Sequence, residues 1–506
     1  VTPTTTPRTT SGVPVVAPAP AGLVGTVRDR APRVLVLGDA LLDGWVSGPV
    51  RRIGRDAPVP VVEPDSASTA PGGAANVAAN LAALGADVTL VAVFGDDADG
   101  RALRASLLDL GVGLDRSVVE LGRATSAKHR VLAAGQPVAR YDTGPDGPPR
   151  RSTDLAVADA LSEAVAAGVD AVVVADYGLG TPGPRARRRL ERLRSGLPLL
   201  VVDAHDPGRW AGLAPDAVTP SAAEAAALLG EPTPTGDRAA WGVERAAALH
   251  AATGATEVLL TLDVDGAVRL PVAGGPGRRP AERPAVESMA CGAGDTFTAA
   301  WTAARCAGAD ADTALACAQS AADVVVARPG TVVCSADALT ARLAAGDRGT
   351  VLEHRDLLRA LDEHRRAGHR IVFTNGCFDV LHRGHVAYLR QARALGDVLV
   401  VALNADESVA RLKGPERPVN PLVDRAGVVG AVDAVDLVTS FDADTPVDLI
   451  AQVRPHVYAK GGDYTAQMLP ETPVVERLGG EVHVLSYLSD HSTTAIVARI
   501  RADTAS

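Results

Sequence analysis

Short apolar runs alternate through the first two-thirds of the chain with Ala- and Leu-rich stretches at helical spacing. The first run is Arg33–Gly38 (RVLVLG), and comparable ones stand at Val88–Val93, Ala171–Ala175, Leu199–Val202 and Val258–Leu262. Runs this short and this continuously apolar predict strands buried on both faces. Between them, Asn76–Leu84 and Leu155–Ala167 predict helices. Strand and helix in alternation predict an α/β fold, a parallel sheet covered on both sides. Two stretches, Val46–Glu63 and Ala127–Asp142, instead alternate with polar, Gly and Pro positions and predict a small β-lid.

The alternation fades after about Val333. Gly346-Asp347-Arg348-Gly349 reads as a linker and Leu352–Arg366 as a polar connecting helix. A second strand–helix series opens with Arg370–Gly376 (RIVFTNG) and continues through Gly384–Leu395 and Val398–Leu403 towards Arg501. The predicted organisation is therefore a Thr/Pro-rich disordered tail over residues 1–30 and a first α/β domain over 31–345. A linker and helix over 346–367 and a smaller Rossmann-like domain over 368–506 complete it. A length of 506 residues suits more than one core.

Composition narrows the function. Aromatics are 3% of the chain and the net charge is −10, which gives no reason to expect nucleic acid or an anionic membrane as partner. Five scattered cysteines without a C-x-x-C pair argue against a disulfide framework or a zinc site. No apolar run reaches the roughly 18 residues of a membrane span. These features predict a cytoplasmic protein. Positive charge is carried almost wholly by arginine, and the surviving lysines, Lys128, Lys413 and Lys460, are candidates for positions that need a compact ammonium.

Two segments carry chemistry. Cys291-Gly292-Ala293-Gly294-Asp295 precedes a helical stretch, Thr296–Ala307, so that its N–H groups and the helix dipole can receive an anion. Asp295 then stands where it can accept the proton of an attacking hydroxyl. Upstream, Pro71-Gly72-Gly73-Ala74-Ala75-Asn76 again sets paired glycines before a helix, with Asn76 able to bond sugar hydroxyls. Asp39 and Asp43 follow the first strand, where open α/β sheets bind ligands. Read without function, the glycines are a turn and the aspartates are caps. The second segment is Thr374-Asn375-Gly376-Cys377-Phe378-Asp379, continuing to His382-Arg383-Gly384-His385. Two imidazoles and a helix N-terminus here can meet one triphosphate. A metal pair or capping histidines are the competing readings, and no further Cys/His cluster completes a zinc site. Lys413-Gly414 with Arg417-Pro418, Lys460-Gly461-Gly462-Asp463, and Ser492-Thr493-Thr494 add groups suited to phosphates. No nucleophile stands with a base, so transfer would be a direct in-line attack.

Gly38-Asp39, PGGAAN and GAGD, in this order, resemble the ribokinase-like sugar kinases. The resemblance implies a three-layer kinase domain with Asp295 as general base and Gly292, Ala293 and Gly294 as an anion hole. Asp39, Asp43, Gly72, Gly73 and Asn76 would contact sugar, Lys128 and Arg140 in the lid would bind a sugar phosphate, and ATP and Mg²⁺ would be co-substrates. The family's Asn-x-x-Glu stands here as Ser221-Ala222-Ala223-Glu224, with Glu224 expected to steer magnesium through water and Ser221 to lie at the nucleotide. Asp176–Gly180 and Asp203–His205 lack lysines expected near that nucleotide.

H-x-G-H after a strand resembles the cytidylyltransferase-like nucleotidyltransferases. It implies phosphate or nucleotide contacts from Asn375, Gly376, Phe378, Asp379, Lys413, Arg417, Lys460, Asp463, Ser492, Thr493 and Thr494. The two domains together are similar to the family of bifunctional heptose 7-phosphate kinase / heptose 1-phosphate adenylyltransferases, most closely in RIGRDAPVPVV, TNGCFDVLHRGHVAYL, RLKGPERPVNPL and KGGDY. That implies sugar phosphates and ATP as substrates, a homodimer through the kinase lid, and a separate phosphatase acting between the two steps. Three alternatives stay open: another sugar phosphate, CTP in place of ATP, and a non-catalytic kinase-like scaffold serving the transferase.

Overall fold

The computed structural model describes residues 12–485, apart from 56, 134–135, 146, 282–290, 329, 348–350 and 463–464. The chain divides into two compact units, with the boundary between Leu343 and Ala344.

The first unit is organised by an eight-stranded sheet. In spatial order its strands are Gly277–Arg279, Ala267–Pro271, Glu257–Thr261, Ala217–Val218, Leu200–Ala204, Ala171–Asp176, Arg33–Gly38 and Asp87–Val91. The first three are joined antiparallel, the rest parallel. In RVLVLG the two-residue period of a strand sends Val34 and Val36 into one core and Leu35 and Leu37 into the other, all four almost wholly buried. One core is closed by the Ala-rich helices Ala74–Ala83, Ala293–Cys306 and Ala311–Val326, with Phe297 and Trp301 filling the space their small residues leave. The other takes apolar residues from Arg151–Ala166, Pro184–Leu193 and Arg238–Thr253.

A separate four-stranded sheet forms the expected lid: Gln136–Thr143, Ala127–Ala133, Ala40–Gly48 and Ser66–Gly73. Its makeup departs from expectation. Ala40–Gly48 follows the core strand after a single intervening residue, Asp39, and PGG closes the strand Ser66–Gly73, which runs directly into the helix Ala74–Ala83. Within Val46–Glu63, and among the described residues, Val50–Ile53 and Pro60–Val62 form a two-stranded sheet of their own.

Residues 12–30 are a correction to the disordered tail. Val16 N–H donates to the Arg278 carbonyl and Arg278 N–H to that of Pro14, and the helix Leu23–Arg30 buries Leu23, Val24 and Val27. Apolar side chains at helical spacing, not the Thr/Pro composition, decide this segment.

The second unit holds a six-stranded, wholly parallel sheet. Its order is Val351–Leu352, Leu437–Phe441, Val398–Asn404, Ile371–Gly376, Val457–Gly461 and Glu481–Leu485. The order reverses between Ile371–Gly376 and Val457–Gly461, so a crevice opens at the carboxyl ends of those two strands. The segment expected as a connecting helix belongs to this unit. Val351–Leu352 pairs with Leu437–Phe441, and the helix His354–Arg366 buries Leu357 and Leu361 against Ile371 and Phe373. Burial of each leucine contributes roughly 1.5–3 kcal/mol, which a solvated linker would forgo.

Candidate active sites

In the first unit Asp295 lies in the first turn of the helix Ala293–Cys306. The residue capping that helix is Gly292, which offers no side-chain bond. Asp295 Oδ1 accepts from Tyr177 Oη at 2.5 Å and Oδ2 from Asn76 Nδ2 at 2.8 Å. Withdrawal from solvent raises the Asp295 carboxyl above its usual range, while the Tyr177 and Asn76 hydrogen bonds and the Lys128 charge oppose the shift. Asn76 is itself fixed by Asn80 Nδ2, and the Asn80 side-chain Oδ1 accepts from Cys334 N–H. The glycines permit these close approaches. Gly292 sits at φ +76°, and a Cβ there would collide with the Asn76 amide. Gly73, at φ +59°, would meet the Asp39 carbonyl at 2.6 Å and the Tyr177 ring at 3.1 Å.

Two cavities flank this region. One of about 360 Å³ is lined by Ser221, Ala293, Gly294, Phe297, Arg238 and Gln319 among others. The second, about 530 Å³, lies against the lid and includes Lys128, Asp142, Leu179 and Gly180. Arg140 makes a two-pronged ion pair with Asp142 on the lid's outer strand. Asp43 is buried in the lid, accepting from Arg130 at 2.7 Å and Thr331 Oγ1 at 3.0 Å; a Cβ on Gly72 would stand 2.7 Å from its Oδ2.

Asp39, expected as a sugar contact, is bonded in this structure to the backbone of a neighbouring loop. Its carboxylate accepts the N–H groups of Tyr177, Leu179 and Thr181 at 3.0, 2.9 and 2.7 Å. Burial pushes it up to about 6 against those three donors. It holds the loop beneath the second cavity, because a carboxylate 3% exposed must satisfy its lone pairs locally. Ser221 caps the helix Ala222–Leu228 in a reciprocal box with Glu224, whose other oxygen meets His205 Nδ1 at 2.6 Å. Burial works against the Glu224 charge, but the His205 and Ser221 bonds outweigh it and keep the carboxyl low.

In the second unit, His382 caps the helix Arg383–Arg393 by position, without a side-chain bond to it. The His382 and His385 rings lie 3.9 Å apart, and the Phe378 ring is 5.2 Å from His385. Burial and the neighbouring imidazole hold His385 down at about 4, so it is neutral at pH 7. Across the strand-order reversal, Asn375 Oδ1 accepts from Tyr458 Oη at 2.8 Å and Lys460 Nζ at 3.0 Å. Gly376 leaves room for the Phe378 ring, which an added Cβ would meet at 2.9 Å. Lys413 ends its helix exposed.

Asp379 and Arg417 do not present a free carboxylate and a free cation. Arg417 Nε donates to Asp379, and Val419 and Asn420 N–H donate to its other oxygen. The pair pins the 417–420 loop because Asp379 is 4% exposed and needs those donors. Asp463, Ser492, Thr493 and Thr494 lie outside the described residues.

The pattern of the pfkB family carbohydrate kinases matches residues 32–338, and that of the cytidylyltransferase-like family residues 373–499. Whole-chain relatives share both halves. The bifunctional protein HldE of Pelobacter propionicus is 38% identical over 94% of this chain and 97% of its own length. That of Azotobacter vinelandii is 39% identical over 94% and 98%, and that of Halorhodospira halophila 41% over 93% and 98%. The chain belongs to the bifunctional HldE family. As a member it is an enzyme carrying a carbohydrate kinase and a nucleotidyltransferase, and these domains imply ATP as substrate. The fold of the HldE kinase half also matches a crystal structure of phosphofructokinase-2 from Escherichia coli in complex with substrates and products. The TM-score is 0.50 at 17% identity, over 62% of this chain and 98% of that one. Among the described residues, no helix of this HldE chain is long and apolar enough to cross a membrane.

Sequence reasoning missed several HldE residues that the structure brings to the sites: Tyr177 and Asp203 beside Asp295, Tyr458 and Glu471 beside Lys460, and Arg425. Arg425 is 2% exposed and ties the Cys377 carbonyl, the Asn420 carbonyl and Asp406 together. Tyr177 and Asp203 each stand at a strand's carboxyl end, a signal the sequence did carry.

Proposed function

We propose that this chain performs two of the steps that make ADP-heptose. The kinase unit transfers phosphate from ATP to O1 of D-glycero-β-D-manno-heptose 7-phosphate, a separate phosphatase removes the 7-phosphate, and the second unit adenylylates the heptose 1-phosphate with release of pyrophosphate. The observation that carries this reading is the end-to-end match with bifunctional HldE relatives, both of whose halves here retain a coherent polar site.

In the kinase step, Asp295 takes the O1 proton as O1 attacks the γ-phosphorus; the bond to the β–γ bridging oxygen breaks and its electron pair leaves with ADP. The N–H groups at Gly292, Ala293 and Gly294 receive the transferred phosphoryl, helped by a helix end that no side chain caps. Asn76 keeps Asp295 aimed, while Asp43, Gly72 and Gly73 shape the sugar end and Lys128 with Arg140 meets the 7-phosphate. Magnesium bound with the nucleotide would neutralise phosphate charge, and such an ion needs few protein carboxylates. Glu224 fits an outer role: Ser221 occupies one of its oxygens, and the oxygen bonded to His205 keeps a lone pair for a bridging water. Ser221 is thereby used in the fold, which removes one motive for regarding the kinase half as an inert scaffold.

In the transferase step, a phosphate oxygen of the sugar attacks the α-phosphorus and the bond to pyrophosphate breaks. Neutral His385 donates a hydrogen bond to the developing charge beside His382. Lys460 and Lys413 supply positive charge, Asn375, Gly376 and Phe378 form the floor, and Asp463 with Ser492–Thr494 completes the nucleotide contacts. Asp379 and Arg417 act by holding the neighbouring loop. Exposed Ile53, Val59 and Tyr141 on and beside the lid support a homodimer there. The free cysteines suit a cytoplasmic enzyme.

The test is a product assay by mass spectrometry with the heptose 7-phosphate, ATP and Mg²⁺, with and without a bisphosphate phosphatase. Bisphosphate alone in one tube and ADP-heptose in the other is the expected result. ADP-heptose from supplied heptose 1-phosphate, with no bisphosphate formed, would remove the kinase half of the reading.

A further inference from the structure

Tyr177 Oη lies 2.5 Å from Asp295 Oδ1 and 2.8 Å from Asp203 Oδ2. A phenol carries one proton, so it can donate to one of these carboxyls only. If both carboxyls were charged, the other contact would set a lone pair against an anion. The three groups therefore hold one proton more than two carboxylates and a phenol supply. Position decides where it rests. Asp295 sits at a helix N-terminus, accepts a second bond from Asn76, and has Lys128 nearby, all of which favour its anion. Asp203 faces the charges of Asp295 and Glu224, with Thr219 as its other partner, and is pushed up to about 7 by burial and then by Asp295.

We propose that Tyr177 and Asp203 are positioning residues for the kinase base: Asp203 holds a proton and donates it to the Tyr177 oxygen, while Tyr177 donates its own to Asp295. The bond to Tyr177 favours Asp295 as an anion and fixes its orientation towards the acceptor hydroxyl. The groups facing this chain from other elements are Asp43 and Lys128 of the lid, Asp39 beneath the Tyr177 backbone, and the His205 ring packed edge-on against Tyr177, with Glu224 behind it. None of these shares the Tyr177 hydroxyl, whose partners are Asp203 and Asp295.

This rests on Asp295 as the base, and the experiment separates the two claims. The rate of ADP formation with sugar phosphate acceptor is measured against pH for the full chain and for Asp295→Asn, Tyr177→Phe, Asp203→Ala and Asp203→Asn, each checked for folding by thermal unfolding. A base works ionised, so activity falls as pH drops through the pKa of Asp295, and loss of its donor moves that acid limb upward. Tyr177→Phe, which removes the donor itself, is expected to move it up by about one to two pH units, and Asp203→Ala, which removes only the bond that orients and polarises that donor, by less. Asp203→Asn is expected to restore its position, because an amide N–H donates to Tyr177 as the protonated acid does. An unmoved limb in folded Tyr177→Phe, or a limb in Asp203→Asn displaced as far as in Asp203→Ala, would overturn the assignment. Full activity in Asp295→Asn would instead overturn the base itself.

Discussion

Lys460 and Asn375 meet across the reversal in strand order of the second unit, the lysine Nζ donating to the asparagine Oδ1 at 3.0 Å. Tyr458 donates to the same oxygen, which fills both of its lone pairs. The ammonium is thus held at the crevice mouth by partners from two strands, with the buried Glu471 carboxylate 3.7 Å behind it. Burial lowers the lysine's pKa and Glu471 raises it again. Lys460→Met is expected to cut adenylyl transfer by roughly 10²–10³-fold, as loss of a preorganised charge does, and to leave the kinase rate alone. Glu471→Gln should move the alkaline limb of the transferase to lower pH, because the ammonium must stay protonated and loses its counter-charge. Pyrophosphate release against pH reads both.

His385 carries a pH dependence of stability. Its pKa is about 4 in the folded unit and near 6.5 in an unfolded chain, so between those values the unfolded chain binds the extra proton. Stability is complete above about 6.5 and falls as pH drops towards 4. Chemical unfolding of the second unit followed at pH 7, 6 and 5 should show that loss, and His385→Gln should flatten it.

Gly292→Ala places a methyl at φ +76° and against the Asn76 amide. The outcome expected is a folded protein whose kinase activity falls at least about 10-fold, a 1.4 kcal/mol loss, because Asn76 no longer steers Asp295. Adenylyl transfer in the same preparation should be unchanged. Equal loss of both activities would show that the substitution unfolds more than its own turn.

Asp379→Ala removes the acceptor of Arg417 and of two loop N–H groups. Breaking such a nearly buried pair costs about 3 kcal/mol or more, so the midpoint of unfolding of the second unit should fall clearly in denaturant. If Arg417 instead contacts phosphate directly, Arg417→Ala alone would raise the KM for ATP while leaving stability unchanged.

What was legible in the sequence was local. Gly292 to Asp295 are neighbours along one turn, and Asn375 to His385 leave one strand and enter one helix, so spacing alone conveys their geometry. Tyr177 stood at a strand end, but its bonds were not legible because its partners are 26 and 118 positions away and meet only when two strand ends and the start of the helix Ala293–Cys306 converge. Asp39 stood at the right end of the right strand, yet no pattern reveals that three backbone N–H groups turn to face it. Arg417-Pro418, following Lys413-Gly414, suggested a cation free to meet phosphate, since the sequence does not show Asp379 folding back over it. Residues 12–30 were misread because Thr and Pro weighed more than the spacing of Leu23, Val24 and Val27.

The packing of those segments dictates how the enzyme can be dissected. A kinase fragment begun at the first core strand would lose Val16, Leu23, Val24 and Val27 from its hydrophobic core, leaving an adhesive groove prone to self-association. A transferase fragment begun at Arg370 would lose an edge strand together with Leu357 and Leu361. Severing the enzyme between Leu343 and Val351 leaves each set of apolar residues with the core it fills.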